Sequence, residues 1–142
     1  MSTKEWLMKS ARSKELFDEA VKYIPDGSSS WPQGPSTYKP YPIFVERGMG
    51  SKISDVDGNS YIDYWLGAGP LILGHAPPKV NEAIKEQLDK GTTFWAATEL
   101  QTEAAKKIVQ MVPCVDKVRF CGSGTEATMH ALRLARGYTG KD

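Results

Sequence analysis

No apolar run in this chain is long enough to cross a bilayer, and its opening residues, MSTKEWLMKS, lack the apolar stretch of a signal peptide. Secretion and membrane insertion are therefore not expected, and the compartment is read as cytoplasmic. Cysteine is scarce: Cys114 and Cys121 are the only two, without C-x-x-C spacing and with no histidine close by in sequence. A disulfide framework and a metal site are both disfavoured, and the pair reads as free thiols. Charge of one sign is lacking as well. Eighteen basic residues stand against seventeen acidic ones, a net of +1, and no basic stripe suits a nucleic acid or a membrane surface. Neither common nucleotide fingerprint occurs, since G-x-x-x-x-G-K-[ST] is missing and no G-x-G-x-x-G follows a strand. Internal repeats and low-complexity tracts are absent too.

What is present concentrates in Lys117–Gly140, KVRFCGSGTEATMHALRLARGYTG. Lys117–Cys121 is β-branched and aromatic enough to predict a strand. Gly122-Ser123-Gly124 breaks it, and helical periodicity begins at Thr125, with Gly137 expected to stop the helix. Two readings of the junction stay open. Ser123 and Glu126 satisfy the S-x-x-E capping box, which opens many helices that bind nothing. The glycines flanking Ser123 exceed what a cap needs and leave bare backbone, which an anion on the first free N–H groups requires. Thr125 adds a hydroxyl there. Glu126 argues against an anion unless its carboxylate is directed elsewhere.

Upstream, Ser2–Ile24 is helical in pattern, with Phe17, Ala20, Val21 and Ile24 on one face and a cap at Ser2-x-x-Glu5 or Ser13. Pro25-Asp26-Gly27 ends it. Ser28–Pro42 is a Ser/Pro/Gly-rich loop in which Trp31 either lies on the surface or covers a pocket. Short strands alternate with turns from Ile43 to Tyr64, and Asp57-Gly58 marks a hairpin. His75 stands alone among apolar residues and reads as a packed or capping histidine. Pro77-Pro78 can open a helix ended by Gly91, and another helix runs from about Leu100 to Met111. From about Leu66 onward only one strand is expected. A buried strand needs neighbours on both edges, so the chain is expected to stop at Asp142 with its sheet unfinished and to aggregate when alone.

The turn SGTEA at Ser123–Ala127 with LRLARGYTGKD after it, FVERGMGSKISDVDGNSYIDY at Phe44–Tyr64, GPLILGHAPPKV at Gly69–Val80 and IPDG at Ile24–Gly27 occur in order. Together they resemble the class III, fold-type I aminotransferases dependent on pyridoxal 5'-phosphate (PLP), nearest the glutamate-1-semialdehyde aminomutase subgroup. The resemblance spans the whole chain but only the opening third of a family member. It implies an α/β fold: an N-terminal helix and small β-meander (1–66) from the small domain, then the start of the PLP-binding large domain (67–142), truncated before most of its central sheet.

It also implies roles. Ser123, Gly124 and Thr125 match the turn that holds the PLP phosphate, and Ser30 falls beside the substrate. No catalytic residue is expected within the chain, because the family's Schiff-base lysine lies further on, and 1–142 alone is expected to be inactive. The implied partners are a small amino donor and an oxo-acid acceptor, and the implied assembly is a homodimer. Two positions depart from the aminomutase pattern. Ala68 stands where it has tryptophan, and Gln33 stands where arginine is expected near the substrate carboxylate. An amide cannot supply arginine's charged, bidentate fork. Intermolecular amino transfer is therefore preferred to the mutase reaction. A non-enzymatic phosphate-binding module and a stand-alone interaction domain, with Trp31 and Trp95 as surface, are the remaining alternatives.

Overall fold

A computed structural model describes residues 9–141 of the chain. They divide into two compact units, Met1–Lys90 and Gly91–Asp142, which are described in turn. The proposed Ser2-x-x-Glu5 cap falls outside the described residues.

In the first unit, helix α1 (Ala11–Ala20) is followed by a 3-10 turn at Pro25–Gly27 and another at Trp31–Gln33. The helix was expected to run to Ile24 and be ended by Pro25-Asp26-Gly27, but it stops at Ala20, and turn residues 21–23 separate it from that tripeptide. Gly27 has φ +69, and a Cβ there would meet Phe17 Cε2 at 2.7 Å, so this reversal needs glycine twice over. Three strands come next: β1 (Val45–Met49), β2 (Lys52–Asp55) and β3 (Ser60–Ile62). They form an antiparallel meander in the order β1-β2-β3, with a bulge between Val45 and Arg47. Asp57-Gly58 lies in the β2–β3 turn, where Gly58 has φ +83. Helix α2 (Pro78–Leu88) has proline in its first turn, where no amide hydrogen is required.

Polar contacts organise this unit more than apolar ones. Among the described residues Tyr41, stacked at 6.4 Å on Phe17, is the buried large apolar side chain, whereas Ser10, Ser13 and Asp55 are fully enclosed. The Asp55 carboxylate accepts from the Asp57 and Asn59 N–H groups at 3.0 and 2.8 Å. It also takes the Asn59 amide at 2.9 Å and the Tyr61 hydroxyl at 2.7 Å. Burial, then the Asp55 carboxylate, push the Tyr61 hydroxyl well above its ordinary range.

Fixed in this way, the hairpin turn presents Asp57 to the N-terminus of α1. Its carboxylate accepts from Arg12 N at 2.7 Å, Ser13 N at 3.0 Å and the Ser13 hydroxyl at 2.6 Å. Ser10, at the N-cap position, makes no side-chain cap bond and pairs instead with the Tyr41 hydroxyl at 3.1 Å. Ser13 therefore lies inside the helix and does not start it. Burial raises the Asp57 carboxyl, but the Ser13 hydroxyl and the two amides outweigh it and hold the group below its ordinary range.

His75 is the packed histidine expected. It exchanges both backbone bonds with Gly50 at 2.8 and 2.9 Å, and its ring Nε2 sits 2.6 Å from the Asp63 carboxylate. A Cβ on Gly48 would lie 2.5 Å from the ring.

The second unit contains α3 (Glu99–Met111) and α4 (Gly124–Thr139). The Thr98 hydroxyl caps α3 by accepting from Gln101 N at 3.4 Å. Two expectations are corrected here. Lys117–Cys121 is not a strand, because among the described residues no strand lies beside it to pair its N–H and C=O groups. Gly137 does not stop α4. The helix runs on through Thr139, and Gly140 ends it in the left-handed conformation, φ +65, with its N–H on the Arg136 carbonyl. A glycine inside a helix costs only about 1 kcal/mol, so another glycine three residues on can provide the actual cap. Many apolar side chains of this unit are exposed, Leu100, Met111, Leu132 and Leu134 among them.

Candidate functional site

The site of interest is the start of α4. Ser123, with extended φ and ψ of −155° and 161°, is the N-cap, and its hydroxyl accepts from Glu126 N at 3.1 Å. Glu126 reaches back, and its Oε2 accepts from Gly122 N at 2.8 Å. The Ser123 half of a capping box is made, while the return bond from Glu126 falls on Gly122 N, one residue before the N-cap amide that a full box would use. The Gly122 amide, then His130, hold the Glu126 carboxyl below its ordinary range, and Arg119 adds to this.

This geometry removes the objection that Glu126 raised. Its carboxylate is drawn back over Gly122 and leaves the first helical amides clear. Gly124 N and Thr125 N have no acceptor among the described residues, and the Thr125 hydroxyl makes no hydrogen bond there. A Cβ built on Gly124 would meet nothing within 4 Å, so the approach is open. Two aligned amides, a hydroxyl and the positive end of a four-turn helix make a suitable cradle for a phosphate dianion. Ser123, Gly124 and Thr125 are thus brought together as one surface.

Ser30 belongs to the first unit. Half-buried, it precedes the Trp31–Gln33 turn, and its carbonyl accepts from the Ser28 hydroxyl at 2.9 Å and from Gln33 N. Ser28, Ser30, Trp31 and Gly34 help line a hollow of about 440 Å³. Trp31 is three-quarters exposed at its edge. Gln33 and Ala68 are also exposed, Ala68 with φ +68.

The family model for class III aminotransferases (Aminotransferase class-III) matches residues 34–142. The chain belongs to this family. It is 53% identical over 135 residues to a glutamate-1-semialdehyde 2,1-aminomutase of Methanosphaera stadtmanae, covering 95% of this chain and 31% of that protein. Among solved structures it is similar to an omega-transaminase from Sphaerobacter thermophilus, with a TM-score of 0.85 and 38% identity over 90% of this chain and 28% of the other. It is similar also to a transaminase with PLP bound, with a TM-score of 0.86 and 37% identity over 92% and 30% of the two chains. The chain thus spans about a third of the length of the family members it matches. Its helices and small antiparallel meander are the opening portion of the class III aminotransferase fold.

Two features at this site escaped the sequence. One is the bond of Glu126 to Gly122 N in place of the Ser123 amide that S-x-x-E implies. The other is His130, which one helical turn from Glu126 brings to 3.4 Å from its carboxylate and close to Cys121. A periodicity of four was the available sign. Among the described residues no helix is long and apolar enough to cross a membrane.

Proposed function

We propose that this chain is the N-terminal part of a PLP-dependent enzyme that moves an amino group between an amino acid or amine and an oxo acid. The observation that carries the reading is the open N-terminus of α4 in a class III chain, with Gly124 N, Thr125 N and the Thr125 hydroxyl unengaged. Ser123, Gly124 and Thr125 hold the phosphate of the cofactor. When bound, PLP supplies an electron sink for negative charge at the substrate carbon next to the transferred nitrogen. The chain's own residues do other work. The two amides and the α4 dipole hold the phosphate, and the Thr125 hydroxyl adds one donor. Glu126, kept on Gly122 N, withholds its charge from the phosphate. Ser30 stands near the substrate, in the loop that contains the hollow beside Trp31. On this reading residues 1–66 belong to the small domain and 67–142 open the large one, in a cytoplasmic homodimer.

A second reading is favoured by the 53% identity to the Methanosphaera stadtmanae protein: intramolecular transfer on glutamate 1-semialdehyde. Gln33 and Ala68 weigh against it, since both change positions at which the aminomutase pattern recognises its substrate. Turnover by the complete protein separates the two. The transferase reading expects an oxo acid to be consumed with an external amino donor. Isomerisation of glutamate 1-semialdehyde without any external donor would replace it with the mutase. A complete protein that takes up no PLP would end both.

A further inference from the structure

A second constellation lies just beyond the phosphate turn. The Cys121 thiol, the Glu126 carboxylate and the His130 imidazole each offer one donor atom, and these atoms lie within 4.8 Å of one another. Glu126 and His130 are one turn apart on the same face of α4, and Cys121 comes from the segment that enters the helix. The separation of Glu126 Oε1 from His130 Nε2 is 3.4 Å. Two ligands at about 2.0–2.1 Å from one ion and 3.4 Å apart subtend about 112° at it, close to the tetrahedral angle. A thiolate bound at about 2.3 Å in the same tetrahedron sits about 3.6 Å from the other two donors. Cys121 Sγ lies within 4.8 Å of a donor atom of each of the other two side chains and has to draw closer than that, a side-chain movement. Its thiol makes a weak contact of 4.0 Å to the Arg119 carbonyl.

We propose that Cys121, Glu126 and His130 form a site for Zn²⁺, with water in the fourth position. The donor set selects the metal class. Thiolate and imidazole suit zinc and its tetrahedral analogues, whereas magnesium and calcium require oxygen ligands. Glu126 can ligate through Oε1 while Oε2 keeps the Gly122 amide, and that bond orients the carboxylate as an outer-shell partner does. The His130 and Glu126 side chains are 30% and 43% exposed, so the ion can enter from solvent. As the S–Zn bond forms, the Cys121 thiol releases its proton to solvent, and the metal remains divalent throughout. The site goes beyond the cofactor reading and stands without it.

The test is a titration of the complete protein with Co²⁺, the spectroscopic stand-in for Zn²⁺. One ion per chain with the intense visible absorption of tetrahedral cobalt is expected. C121S and H130A should each weaken binding about 100-fold or more, since even outer-shell changes cost 10–100-fold. No tetrahedral spectrum, or one that survives either substitution, overturns the site. A second measurement on the unmutated protein avoids any folding defect in the variants. Added Zn²⁺ should slow alkylation of Cys121, read by peptide mass, and leave Cys114 at its metal-free rate. Equal rates at Cys121 with and without Zn²⁺ would overturn the proposal as firmly.

Discussion

Two helices of this chain begin in opposite ways. At α1 the carboxylate of Asp57, delivered by a hairpin forty-four residues away from Ser13, sits on the first amides and fills the N-terminus. At α4 the carboxylate of Glu126 is only three residues from the cap, yet it turns back to Gly122 and leaves the first two amides bare. The same dipole and the same orphan donors are present at both ends. One end is satisfied by the protein itself and serves architecture. The other is kept available, and the difference is where one carboxylate is held.

The comparison can be broken hardest at its foundation. Asp55→Ala leaves the Asp57 and Asn59 amides and the Tyr61 hydroxyl without their acceptor, while the Asn59 side chain keeps the Lys9 carbonyl. Each part-buried orphan costs about 1 kcal/mol, the low end of the range for a lost partner, so the complete protein should lose about 3 kcal/mol in denaturant unfolding. A loss below about 1 kcal/mol would mean that water takes over these bonds. Asp57→Ala should come next, at about 2 kcal/mol, the upper range for a helix cap. It should leave PLP affinity unchanged, because the filled end has no ligand to lose.

At the open end the balance should reverse. Thr125→Ala should shift unfolding by less than about 0.5 kcal/mol, as for other surface changes. It should also weaken PLP about tenfold, the worth of one hydrogen bond to a charged group. Equilibrium dialysis of the apoprotein checks this, and an unchanged affinity would remove Thr125 from the cradle. The smallest effect is the pH response of α1. The Asp57 carboxyl is held below its ordinary value of about 3.9. Its stabilisation is therefore complete above that unfolded value and is lost as pH falls through the lower, folded one. Asp57→Asn should flatten that part of the acid unfolding curve, and an unaltered curve would assign the acid loss to other carboxylates.

Much of the fold was legible because it depends on neighbours in sequence. Asp57-Gly58 made a hairpin, Pro78 stood in the first turn of its helix, and the Ser123 hydroxyl capped α4 through Glu126 N. Where an element depends on something distant, the sequence misled. Lys117–Cys121 has the composition of a strand, but a strand exists only beside a partner, and the described residues contain none for it. Gly137 resembled a stop because glycine is a common one, yet a helix interior tolerates it when a better left-handed cap follows at Gly140. The absence of a histidine near Cys121 was true of the sequence and untrue in space.

By itself, the sequence determined the class III family, the hairpin at Asp57-Gly58, and the cap that Ser123 places on α4. These follow from backbone conformational limits and from hydrogen bonds spanning three or four residues, which a string of letters contains. Only the tertiary structure decided that Asp57 fills one helix end, that Ser13 is buried beneath it, and that Glu126 and His130 converge on Cys121. Those outcomes depend on the directions in which side chains meet after folding. Direction at a distance is a property of the assembled backbone and of no local pattern.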